Sequence, residues 1–90
     1  MYVSLVTVSI DPNQQDAARA NLEAQVVPMV RQNAGVKWGV WLDPKEGTGM
    51  SLVGFDTKEN AEAALARVPD EPGPGVKVLT KEVREVVAGF

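Results

Sequence analysis

The sequence predicts an α+β domain in which strands and helices follow one another as β-α-β-β-α-β. Three observations carry this expectation. Four stretches are rich in β-branched and other apolar residues at strand length. Two helix-start signals, Asp11-Pro12-Asn13-Gln14 and Asp56-Thr57-Lys58-Glu59, follow the first and third stretches. The strand-helix-strand pattern therefore occurs twice within 90 residues, a length that suits one domain, 1–90.

The elements can be taken in order. Tyr2 to Ile10 reads as a strand. Its two parities, Tyr2, Ser4, Val6, Val8, Ile10 and Val3, Leu5, Thr7, Ser9, both carry apolar side chains, so both faces are expected to be covered. Asp11 suits an N-cap, Pro12 the first helical position, and Gln14 the third position of a capping box. The helix is predicted to run to about Gln32. Ala18, Leu22, Val26, Met29 and Val30 form its inward stripe, with Gln25 near the centre and Asn21 on the border. Pro28 denies a hydrogen bond to the Ala24 carbonyl and is expected to bend the helix. Gly35 suits a left-handed helix end.

Val36 to Leu42 is the second predicted strand, with Val36, Trp38, Val40 and Leu42 on one parity and Lys37, Gly39 and Trp41 on the other. Asp43 to Gly49 reads as a hairpin loop and Met50 to Phe55 as the third strand. Asp56 as N-cap and Glu59 three residues later open a second helix, with Ala61, Ala64, Leu65 and Val68 inward and its end before Pro69. Residues 70–75 read as an exposed loop. Val76 to about Val87 is a long, charged last strand.

Right-handed crossovers on two such units give an antiparallel sheet of order 4-1-3-2 with both helices on one face, a ferredoxin-like arrangement. The other face must then meet water or a partner. If the Val36, Trp38, Val40, Leu42 parity faces the helices, Trp41 faces outward. Covering its roughly 200 Å² is worth at most about 5 kcal/mol, comparable to the stability of a small domain. The last strand supplies a second argument. Residues 76–87 would span about 40 Å against about 30 Å for the first strand. Its surplus end, with Glu85, Val86 and Val87, would lack a partner within its own sheet. A homodimer joined through the sheet face and the last strand is therefore expected.

Composition excludes several chemistries. The chain has no Cys and no His, so disulfides, thiolate metal sites, Cys nucleophiles and a Ser-His-Asp triad are all absent. No metal site and no cofactor are expected. The net charge is −3 and the nine Lys and Arg residues are scattered, which argues against nucleic-acid binding. The apolar runs are far shorter than the roughly 20 residues that cross a bilayer, so no membrane partner is expected. The Met1-Tyr2-Val3-Ser4 start has no basic region before an apolar stretch, and a cytoplasmic location follows as the expectation.

The candidate binding residues are Trp38, Trp41, Asn21, Gln25 and Tyr2. Either Trp could stack a flat ligand or serve core and interface packing. Asn21 and Gln25, one turn apart, could contact a ligand or bond sheet backbone or water. Tyr2 and Ser4 share a parity, and either could face a pocket. Arg31 and Arg84 are candidate anion contacts or surface ion-pair partners of Glu82 or Glu85. No residue is assigned a catalytic role.

Three strings extend the reading. Val27-Pro28-Met29-Val30 closes the first helix, and Gly35-Val36-Lys37-Trp38-Gly39-Val40-Trp41 opens the second strand. Met50-Ser51-Leu52-Val53-Gly54-Phe55-Asp56 runs into Glu59-Asn60-Ala61-Glu62. With the strand order, these resemble the antibiotic biosynthesis monooxygenase-like family of dimeric α+β barrels. The resemblance implies a homodimer of the predicted fold. Known activities in that family are cofactor-independent oxygenation and haem degradation. The haem-degrading members carry a His after the third strand, and residues 56–67 contain none. Three functions are thus weighed: a dimer binding a small apolar or aromatic molecule, a cofactor-independent monooxygenase acting on a phenolic or polyketide-like substrate, and a regulatory or protein-interaction module.

Overall fold

The computed structural model describes residues 1–90. The strands are β1 (Tyr2–Ile10), β2 (Val36–Lys45), β3 (Thr48–Phe55) and β4 (Val76–Glu85). A helical run over residues 12–30 follows β1, and a second helix, Lys58–Ala66, follows β3. The sheet is antiparallel throughout, in the order β2-β3-β1-β4. This is the predicted ferredoxin-like α+β topology. No helix is long and apolar enough to cross a membrane.

The central strand β1 is apolar on both parities because both of its faces need cover. Ser4, Val6, Val8 and Ile10 turn toward the helices, with Val53 and Phe55 of β3 beside them. The dense core lies at one end of that layer, where Val53 (5 % exposed) and Phe55 (1 %) meet Ala61 (0 %) and Ala64 (9 %) of the second helix. The small Ala side chains let this helix lie close to the sheet. Lys81 Nζ donates to the Val68 carbonyl at 2.6 Å, placing a cation where the helix leaves carbonyls unpaired.

The first helical run departs from a regular α-helix in two places. It opens with a tight 3₁₀ turn, Pro12–Gln14, in which Asp11 caps by accepting from the Asn13 N–H at 2.9 Å. Gln14 closes no capping box, because the Asp11 N–H it would satisfy already donates to Gly75 O at 2.9 Å. After an α segment, Gln15–Asn21, the backbone widens into a π turn, Leu22–Val26, and returns to α over Val27–Val30. The Val27 N–H reaches back five residues to the Leu22 carbonyl. Pro28 accounts for this, because its ring crowds the carbonyl four residues earlier and it has no N–H to offer. The predicted bend is thus realised as a wider turn. In a wide turn each residue rotates less than in an α-helix. Ala18, Leu22, Val26 and Val30 stay inward, while Gln25 and Met29 (67 % exposed) rotate off the stripe.

Further differences from the sequence reading concern strand ends and faces. β2 and β3 run into a two-residue turn at Glu46-Gly47, with φ of 54° and 77°, where the sequence suggested a seven-residue loop over 43–49. That turn matches the twist of the flanking strands, so pairing extends to Lys45 and Thr48. An irregularity at Asp43-Pro44 accommodates the proline on an edge strand. A second irregularity, at Lys37, decides the faces. Val36 pairs with Phe55 and Trp38 with Gly54, so the parity of β2 changes between them. Val36 and Trp41 therefore pack toward the helices, whereas Trp38, Val40 and Leu42 face outward. The expectation that Trp41 faces outward is corrected accordingly.

The surplus on β4 is also corrected. Leu79 is an extra residue between Val78 and Thr80, and Glu85 pairs with Tyr2. The Val86 N–H donates to the Met1 carbonyl at 2.9 Å. Only residues 87–90 extend beyond β1.

The second helix is capped by Thr57, one residue later than predicted. Its side chain accepts from the Asn60 N–H at 3.1 Å. Asp56 instead accepts from Asn60 Nδ2 at 2.9 Å, and its N–H donates to Gly35 O at 3.0 Å. Gly35 has φ 74°, and a Cβ there would lie 2.0 Å from Asp56 Oδ1. This knot ties the entry of β2 to the exit of β3. The Asn60 hydrogen bond holds the Asp56 carboxyl below its ordinary value, against a smaller opposing effect of burial.

Two outcomes follow for urea denaturation. Gly35→Ala should destabilise by about 1–3 kcal/mol through backbone strain, with the clash on Asp56 adding to it. Thr57→Ala should cost about 1 kcal/mol through the lost cap. The Asp56 contribution is present above the ordinary carboxyl value of 3.8 and is lost as pH falls through the lowered folded value. In Asp56→Asn, the fall in Tm between neutral pH and pH 3 should therefore be smaller than in the wild type.

Candidate functional site

The helical run stands off the sheet and leaves a cleft of about 760 Å³ between them. Its floor is the helix-facing side of β1 and β3, and its roof is Ala18, Leu22, Val26 and Val30. The second helix closes one end with Ala64, Leu65 and Val68. The loop after that helix supplies Pro72 and Gly73.

Trp41 forms the β2 wall. Its ring lies along the strand over Gly39, where a Cβ would approach it to 3.1 Å. Gly49 plays a similar part nearer the hairpin, with Ile10 and Val8 side chains 3.2 and 3.3 Å from its would-be Cβ. Two missing side chains thus leave room for larger neighbours on the floor.

The polar groups are unevenly placed. At the hairpin end, Arg19 of the helical run bonds Asp43 of β2 at 2.5 Å, across the mouth of the cleft. Both side chains are well exposed, so the pair contributes little to stability but sets the charge at the entrance. Asn21 Nδ2 donates to the Pro72 carbonyl at 3.4 Å and tethers the roof to the loop. At the opposite end Asn33 is satisfied on both sides, donating to the Val30 carbonyl and accepting from Arg67. Ser4, Ser51 and the Trp41 indole N–H also line the cleft and hold no hydrogen bond within the protein. The carboxylates on the wall, Asp16, Glu23 and Asp43, do not converge into a metal-binding group.

Of the five candidate residues, the structure brings Trp41 and Asn21 together on the cleft wall. Gln25 is exposed and off the wall because of the π turn. Trp38 lies on the outer face over Gly54, where a Cβ would meet its Nε1 at 2.5 Å, and Trp38 Nε1 donates to Met1 Sδ at 3.3 Å. Tyr2 packs beside the core, and its hydroxyl donates to Glu85 Oε2 at 2.9 Å. That hydrogen bond to Glu85, reinforced by the carboxylate charge, raises the phenol above its ordinary value of 10.0. Of the two arginines, Arg84 pairs with Glu82 at 3.3 Å, and Arg31 is exposed. The cleft groups given no weight in the sequence reading are Arg19, Asp43 and Ser51. The two-residue hairpin that carries Asp43 to the mouth was the missing signal.

Because the Tyr2 hydroxyl is committed to Glu85 outside the cleft, Tyr2→Phe should leave the affinity of any cleft ligand unchanged in a calorimetric titration. It should also remove the high-pH titration seen by ultraviolet absorbance, since Tyr2 is the one tyrosine.

No family model and no curated protein sequence matches this chain.

Proposed function

We propose that this chain binds a small apolar or aromatic molecule in the helix-sheet cleft and works as a homodimer. The cleft carries the reading. Its volume of about 760 Å³ suits a drug-sized ligand, and its wall joins an indole face to a few polar groups with no protein partner. A void of this size between a sheet and its own helices forgoes packing contacts that a purely structural domain would make. A ligand would restore them.

The outer sheet face supports the dimer. Trp38 (40 % exposed), Val40 (46 %), Leu42 (52 %) and Met50 (36 %) form an apolar patch alongside Leu5 and Leu52. On β4 the face continues with the charged Glu82 and Arg84. Contiguous apolar patches of this kind mark contact surfaces. A second copy laid on this face fits the resemblance to the antibiotic biosynthesis monooxygenase-like dimeric barrels.

A catalytic version of the same site is the second reading. In it the bound phenolic or polyketide-like compound reacts with dioxygen directly, one methylene becoming a carbonyl with release of water, and no cofactor is used. The partnerless hydroxyls and indole N–H favour it, since they could hold a substrate oxygen as charge develops there.

Two measurements check this reading. Val26→Trp, which fills the cleft from its roof, should abolish binding of naphthalene followed by Trp fluorescence; undiminished binding would remove the cleft as the site. Val40→Glu should shift the light-scattering mass from dimer to monomer, and an intact dimer would move the contact off the outer face. Dioxygen consumption with anthrone and no added metal would select the catalytic version.

A further inference from the structure

The cleft is chemically polarised along β1, and one residue defines its deep end. Ser4 is 5 % exposed and flanked in register by Val53 of β3 and Val83 of β4. The core residues Phe55 and Ala64 close that end. Its hydroxyl has no partner in the protein, yet it is not sealed off, because it opens onto the cleft. Ser51, one diagonal step away across β1 and β3, is about 7–8 Å off and does not bond it. A hydroxyl that opens onto an apolar cleft and spends no hydrogen bond within the protein is free to meet a ligand oxygen.

The charged groups lie at the other end. Asp43 follows Leu42, whose register partner Met50 stands opposite Thr7, so the Arg19–Asp43 pair is level with Val8. Four residues at ~3.3 Å put it about 13 Å from Ser4. Arg67 and Lys81 are the cations on the elements that flank the deep end. Neither lines the cleft, because Arg67 donates to Asn33 Oδ1 and Lys81 to the Val68 carbonyl. An ionised group at the deep end would thus be buried without a counter-charge.

Resting on the ligand-binding reading above, we infer that Ser4 is the residue that selects the ligand: its hydroxyl hydrogen-bonds a neutral oxygen, a phenol or a ketone, on the buried end of an otherwise apolar molecule. Any charged substituent stays at the Arg19–Asp43 mouth. Ser4 thereby fixes which end of the ligand enters first. It also makes the site discriminate a neutral oxygen function from a bare hydrocarbon and from a carboxylate.

The test uses the full chain carrying Trp38→Phe, so that emission reports Trp41 alone. Naphthalene, 2-naphthol and 2-naphthoate are titrated at pH 7 against this protein and against the same protein with Ser4→Ala or Ser51→Ala. 2-Naphthol should bind more tightly than naphthalene by about two- to tenfold, the range for one hydrogen bond. 2-Naphthoate should bind most weakly. Ser4→Ala should erase the preference for 2-naphthol and leave naphthalene unchanged. A preference that survives Ser4→Ala, or that disappears in Ser51→Ala instead, overturns the assignment while leaving the binding site in place. So does equal weakening of naphthalene and 2-naphthol by Ser4→Ala, which would mean a structural role. Absence of binding by all three probes overturns the ligand-binding reading itself, and this inference with it.

Discussion

A strand shows alternate side chains to opposite faces, and the architecture rests on how β1 uses both. Val6 and Val8 look toward the helices, and Val3 and Leu5 look away from them. One layer of helices covers the first set. Over the second set the Trp38 ring lies across Gly54 beside Val3, with Met1 Sδ against its indole nitrogen. Val3 is accordingly 9 % exposed, whereas Val40 and Leu42 farther along the face remain open. The uncovered half of the sheet follows from the placement of both helical segments on the Val6 and Val8 side.

The cleft itself arises from unequal helix packing. The second helix is built from Ala and settles onto β3 with almost no gap. The first helical run is longer and carries Pro28, which forces the π turn at Leu22–Val26. Its inward residues reach the sheet at intervals of four, Ala18, Leu22, Val26 and Val30, and three of them are only half-buried. The tethers at Arg19–Asp43 and Asn21–Pro72 hold this roof from two sides. π turns within helices occur often at functional sites, where the local irregularity opens space that a regular helix would close.

Electrostatics separates the two ends of that space. Charges gather at the hairpin, where water reaches them. Farther in, the polar groups are the Ser4 and Ser51 hydroxyls, the Trp41 indole and the Asn33 amide, within a largely apolar wall. Such a gradient suits an apolar molecule with one polar end better than a charged or symmetric one.

Local chemistry in the sequence determined the element order, the topology, the left-handed Gly35, and the inward Ala18, Leu22, Ala61 and Ala64, because periodicity and capping act over a few residues. It also made Trp41 and Asn21 visible as candidates. The face on which Trp41 lies was decided by tertiary structure alone. A single extra residue at Lys37 reverses the parity of β2, and a bulge of that kind appears only when β3 is alongside to set the register. The exclusion of Gln25 has a similar cause, since the relief of Pro28 by widening rather than kinking depends on the roof being held over the sheet. The solitude of the Ser4 hydroxyl is likewise a property of three-dimensional packing: whether a side chain finds a hydrogen-bond partner depends on what the fold brings near it.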